Sequence, residues 1–288
     1  MKRGLAGTET TVYASFGETN AFVPYHLPPR PPLRLPNTTV RKLDEAMVAL
    51  GRLQARCARF QVPHRKKVEE LLLRREAVMA AGADGRSIRL DTFIEYEKVL
   101  GTPPLHHPGV VEAVVNGTAA LEGGLKALSQ GLRPTNELLK SLHELMVRRL
   151  GDPPKGLARL RLINAEPAGQ FRSKGLWFGL VNRLKRPVMR APPNLVPDLM
   201  AQLERFALET DTGLQALTRC ALAHAQFELI YPFAEEGPPM NLLHTNLLLH
   251  DAGLTPSLPL QLSQHFNDTQ YESRNALNDV MYHGRWEE

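Results

Sequence analysis

Apolar residues recur at three- and four-residue intervals along most of this chain, the signature of amphipathic helices. Leu43, Met47, Leu50 and Leu53 place one helix over about 39–60. "RKKVEELLLRREAVMAA" continues the pattern over 65–81, and "LDTFIEYEKVLG" supplies a short third helix after the break "GADGRS". Two more follow in "GVVEAVVNGTAALEGGLKAL" and "TNELLKSLHELMVRRLG", the latter opened by the capping residue Thr135 and closed at Gly151. Between 152 and 193 the period changes. "LWFGLV" and "RPVMR" are short β-prone pieces between Gly and Pro, predicting a hairpin or flap. Helices return with "NLVPDLMAQLERFALET" and "LQALTRCALAHAQFELI", then after the turn "YPFAEEGPP", and again through the C-terminal stretch.

The first 38 residues carry no helical period. "FVPYHLPPRPPLRLP" places six prolines in fifteen residues, which excludes a regular helix and predicts an extended arm. "GTPPLHHPG" marks a boundary. The expected organisation is an extended Pro-rich arm over 1–38, an N-terminal helical region over 39–104, and a core domain over 105–288. The fold class is mainly α with one small β-hairpin flap.

Composition adds limits. At 43% hydrophobic and 23% charged, the 288-residue chain is an ordinary globular one. No run of about 18 apolar residues exists, so no membrane span is expected. The basic start lacks an apolar stretch behind it, so it does not read as a secretory signal. Cys57 and Cys220, far apart in helical contexts, fit two buried thiols in a cytoplasmic protein. The net charge of +5 is spread along the chain without a helix-turn-helix, zinc-finger or RNP pattern, which argues against specific nucleic-acid binding. His224, His244 and His250 do not have the spacing of metal ligands on one face. His143-Glu144 is half of a metalloprotease motif, lacking the second histidine.

The turn between the two leucine-rich helices, "YPFAEEGPPMNLLHTNLLLHDAGL", is the strongest candidate for chemistry. Helix, acidic-glycine turn, helix is an arrangement that holds phosphate at a helix N-terminus. Two prolines in that first helical turn also suit plain capping, because N–H groups there have no intrahelical partner. A further option is that the carboxylate of Glu235 or Glu236 folds into the phosphate position. Arg172 and Lys174 precede the flap, and Arg183, Lys185, Arg186 and Arg190 lie along it. This pattern fits either a solvated basic hairpin or a strand that pairs with a peptide.

Taken in order, the segments resemble the Fic (Fido) family. "AFVPYHLPP" resembles the proline-rich N-terminal module of one Fic subgroup, and "LLLRREAVMAAGADG" that subgroup's inhibitory helix. "PAGQFRSKGLWFG" is similar to the segment leading into the target-docking flap. "ALAHAQFELIYPFAEEG" and "NLLLHDAGL" flank the signature loop. The resemblance implies a helical Fic fold and transfer of AMP from ATP to a protein hydroxyl. It places target docking at Phe171, Arg172, Lys174, Trp177 and Gly179.

The active signature reads His-Pro-Phe-x-(Asp/Glu)-Gly-Asn-Gly-Arg-x-x-Arg. Here it falls on Tyr231, Pro232, Phe233, Ala234, Glu235, Glu236, Gly237, Pro238, Pro239, Met240, Asn241 and Leu242. Tyr231 stands at the catalytic histidine, and a phenol with a pKa near 10 is a poor base at neutral pH. Glu235 keeps the metal-holding position. Pro238 and Pro239 have no N–H for phosphate, and Pro239 and Leu242 replace both phosphate-binding arginines. The inhibitory motif falls on Ala80, Asp84 and Gly85, with Asp84 facing Leu242 in place of its arginine partner. The resemblance therefore implies a Fic-like pseudoenzyme with a degenerate AMP-transferase site, no resident cofactor, and a protein or peptide partner at the flap. The alternative is a residual or altered nucleotidyl transferase, with ATP and magnesium held through Glu235 and cations from Arg172, Lys174 or Arg219. DNA binding would call for a winged-helix tail that some relatives carry, and the sequence to Glu288 supplies none.

Overall fold

A computed structural model describes residues 5–14, 17–59, 62–83, 88–98, 108–148, 166–181, 187–256 and 258–287. It opens with strands β1 (Gly7–Ala14) and β2 (Gly17–Pro24). Helices α1 (Asn37–Cys57), α2 (Val62–Ala83), α3 (Leu90–Lys98), α4 (Pro108–Ser129) and α5 (Asn136–Met146) follow. Strands β3 (Trp177–Val181) and β4 (Pro187–Met189) make the flap. Helices α6 (Val196–Leu208), α7 (Ala216–Ile230), α8 (Gly237–Asp251), α9 (Leu262–Asp268) and α10 (Gln270–His283) complete the chain.

The protein is mainly α with a β-hairpin flap, as the periodicity predicts. Thr135 caps α5 as expected, its hydroxyl accepting from the Leu138 N–H at 3.4 Å. Two details differ. The first 38 residues are not irregular throughout: β1 and β2 pair antiparallel from Gly7↔Pro24 to Ala14↔Gly17. The Thr, Val, Tyr and Phe content of "GTETTVYA" and "GETNAFVP" is what a pleated surface accepts, and the prolines begin at Pro24, the last residue of β2. The flap is also not a lone hairpin. A four-stranded sheet forms in the order β1-β2-β4-β3, with β2 parallel to β4 at Ala21↔Met189. Phe22 anchors this addition, packing with Val188, Leu229 and Met281 in a small core of its own.

The main core lies between α4, α5, α6, α7 and α8. α8 runs through its centre, and every residue from 239 to 249 is buried. A helix enclosed on all sides needs no polar face, which explains "NLLHTNLLLH". The close approach of α4 depends on Gly124, where a Cβ would come 2.9 Å from Leu247 Cδ2. α2 docks alongside through polar contacts that few cores contain. The Glu76 Oε1 accepts from the Ser263 N–H at 3.1 Å, the Ser263 hydroxyl at 2.8 Å and the Asn246 amide at 3.4 Å. Burial raises the Glu76 carboxyl to about 7 against these bonds. Among the described residues, no helix is long and apolar enough to cross a membrane.

Candidate functional site

The turn between α7 and α8 makes its reversal with two non-glycine residues in the left-handed region, Tyr231 (φ 50°) and Glu236 (φ 54°). Each costs on the order of 1–2 kcal/mol in backbone strain, so the surroundings must hold them. Phe233 supplies one anchor. Fully buried, it stacks on the His143 ring at 4.2 Å and 19°, and meets Phe171 at 5.4 Å and Phe227 at 6.4 Å.

His143 fixes the turn from α5. Its Nδ1 takes the Gly169 N–H at 3.2 Å, so the proton sits on Nε2, which reaches the Glu235 carbonyl at 3.1 Å. This pair of contacts defines the neutral tautomer, and burial lowers the imidazole to about 4. The half-motif with Glu144 is thus a brace rather than a metal ligand. Nearby, the amide of Asn116 in α4 donates to the carbonyls of Met146 at 3.2 Å and Arg148, closing the C-terminal end of α5.

Arg172 supplies the second anchor. Its guanidinium is 2% exposed and donates to the carbonyls of Tyr231 (2.9 Å), Lys174 (3.1 Å), Ala191 (2.7 Å) and Ile230 (3.2 Å). Its own N–H donates to Pro232 O at 2.8 Å. Carbonyls at the end of α7 have no helical partners and carry the negative end of the dipole, so a buried cation is favoured there. Burial first, then the proximity of Arg190, lower Arg172 to about 10, with Glu166 acting the other way.

Arg190, at the end of β4, is the residue that the sequence reading did not connect to the turn. Its guanidinium carbon lies 3.8 Å above the Tyr231 ring. It also donates to the Glu228 carbonyl and pairs with Glu228 Oε1 at 3.2 Å. Burial lowers its pKa, opposed by Glu228 and Tyr231. Below it, the Tyr231 ring packs against the first residue of α8: a Cβ on Gly237 would collide with its Cζ, Oη and Cε1. The next two residues are Pro238 and Pro239, so the start of α8 presents an aromatic ring and two N–H-less residues.

The other expected residues are dispersed around this turn. Glu235 and Glu236 line a cavity of about 290 Å³ with Glu112, Asn116 and Arg148. Leu242 is buried and gives its carbonyl to Asn246 at 3.3 Å. Of the cations expected to help, Arg219 donates to Ala207 O at 3.2 Å and Lys174 is exposed. Ala80 sits in α2, whereas Asp84 and Gly85 lie outside the described residues. Trp177 and Gly179 are in β3 at the edge of the sheet. Among the described residues, no three His, Cys, Asp or Glu converge to hold a metal.

A central buried helix preceded by a braced turn, with a hairpin flap beside it, defines a recognised architecture. It is the Fic fold. Three solved structures resemble it: a Fic family protein from Desulfovibrio desulfuricans G20 (TM-score 0.58, 22% identity, 86% of this chain and 68% of that one), a Fic domain-containing signaling protein from Bacteroides thetaiotaomicron VPI-5482 (0.58, 16%, 83% and 80%), and Fic-1 from C. elegans (0.59, 15%, 85% and 67%). Sequence comparison finds no matching family model and no matching curated protein.

Proposed function

We propose that this Fic-fold protein is a non-catalytic module that has closed its own phosphate position. The observation that carries the reading is the Tyr231 ring, set across Gly237 and beneath Arg190. A phosphate at the α8 N-terminus would have to displace that ring, and it would then find no N–H on Pro238 or Pro239. Arg172 and Arg190 flank the start of the turn, and both donate to the carbonyls that end α7; Arg148 lines the cavity beside Glu235 and Glu236. Loss of a general base alone costs about 10²–10⁴ in rate, and loss of a preorganised anion donor about 10²–10³.

Interaction is then the role that remains, at the outer edge of β3. Among the described residues β4 is flanked by β2 and β3, whereas β3 ends the sheet and offers its backbone to an extended peptide. Calorimetric titration with ATP and magnesium tests the closed site. The expected result is no heat and no thermal shift at millimolar nucleotide. Micromolar binding would overturn the reading in favour of a residual nucleotidyl transferase, in which Glu235 would hold magnesium.

A further inference from the structure

The sheet has two outer strands, β3 and β1, and the second of them faces away from the flap. We propose that β1 pairs with β1 of a second copy of this chain. The two strands run antiparallel across a two-fold axis at Thr11 and join the two sheets edge to edge.

The ladder decides which backbone groups are available. The Tyr25 N–H donates to the Ala6 carbonyl at 2.8 Å, so the residues next to the Gly7↔Pro24 pair form a hydrogen-bonded pair. Bonded and non-bonded pairs alternate along an antiparallel ladder. Thr8, Thr10 and Val12 therefore turn their N–H and C=O groups to β2, while Glu9, Thr11 and Tyr13 turn theirs outward. Among the described residues, β1 pairs with no strand but β2. One long bond reaches the outward groups, from the Thr8 hydroxyl to Glu9 O at 3.4 Å. Thr8, Glu9, Thr11 and Tyr13 are exposed, Tyr13 at 86%.

Edges of this kind are usually guarded by lysine, proline or a bulge. β1 has none of these. Its sequence, GTETTVYA, carries a single charge at Glu9, and all eight residues pair with β2 in one unbroken register.

Side chains select a second copy as the occupant. A two-fold at Thr11 sets Thr11 opposite Thr11, Glu9 opposite Tyr13, and Thr10 opposite Val12. Opposed residues share a face of the sheet, so the Tyr13 hydroxyl of one copy donates to the Glu9 carboxylate of the other. Asn20 Nδ2 already orients that carboxylate, donating to Oε2 at 2.8 Å. Neighbouring registers are poorer. A two-fold at Glu9 would oppose two carboxylates, and one at Thr10 would set Tyr13 against Gly7, which has no side chain to meet the ring. One pair of short strands covers less than the roughly 800 Å² per partner of a stable interface, so association is concentration-dependent. The contact uses neither the α7–α8 turn nor β3, and it stands or falls separately from the closed phosphate position.

Sedimentation equilibrium of the full chain, from low micromolar to submillimolar concentration, is the test. The average mass is expected to rise towards twice that of one chain. Thr11→Lys and Thr11→Glu each oppose like charges at the two-fold and should weaken association at least tenfold, with the thermal transition retained because Thr11 is exposed. An equimolar mixture of the two should regain it, because lysine meets glutamate only in the mixed pair. Amide hydrogen exchange in the native chain gives a readout without substitution: Glu9, Thr11 and Tyr13 should slow at high concentration, while Thr10 and Val12 should not change. A chain that stays monomeric at submillimolar concentration, association undiminished in both variants, or a mixture no stronger than either variant alone would each overturn the proposal.

Discussion

The Tyr231 ring packs against Gly237 across the α7–α8 turn, so it occupies the space that any larger residue at 237 would need. Gly237→Ala is expected to cost about 1–3 kcal/mol through overpacking. In a Tyr231→Asn background, where the ring is gone and Asn tolerates the left-handed backbone, the same substitution should cost under about 0.5 kcal/mol. Urea denaturation of the four proteins gives the coupling energy. Equal costs in both backgrounds would remove the ring–glycine contact from the argument.

Arg172 ties four carbonyls together and holds the flap base to the end of α7. Arg172→Lys retains a cation but not the planar fork that reaches several acceptors at once. The expected loss is about 2 kcal/mol or more, seen as a lower denaturation midpoint with an unchanged slope. A shift within error would mean that the carbonyls find water without penalty.

Glu76 makes stability depend on pH in the direction opposite to an ordinary surface carboxylate. Its folded pKa, about 7, lies above the usual 4.5, so the folded protein binds the proton more tightly than the unfolded chain. That contribution is complete below pH 4.5 and is lost as pH rises through 7, amounting to about 3 kcal/mol. Glu76→Gln keeps an acceptor for Ser263 without a charge. The variant should gain on the native protein between pH 5 and 8, and parallel stability curves would refute the assignment.

Three imidazoles act on the acid side, His143 and His244 buried and His224 partly buried. Burial lowers His143 to about 4, His224 to about 4 and His244 to about 3, from 6.5. Lowered folded values mean that stability is present above pH 6.5 and falls as the unfolded chain takes up protons. Near pH 5 the three together give a slope of up to about 4 kcal/mol per unit. His143→Gln, which can still span Gly169 and Glu235, should reduce that slope by about a third. An unchanged slope would show that His143 is not neutral in the fold.

Much of this protein was legible along the chain, because helix periodicity and caps are local. Thr135, the α4 and α5 patterns, and the breaks around Trp177 and Pro187 each report their own backbone. The turn could be read the same way: Pro238 and Pro239 lack N–H groups in any context, and Leu242 cannot carry charge. What only the tertiary structure decided are relationships between distant segments. β2 beside β4, Arg190 above Tyr231, His143 beneath Phe233 and Glu76 against Ser263 join residues 41 to 187 positions apart. No local period encodes such pairs. They are settled by burial, which makes each polar group find whichever partner the packed helices bring within reach.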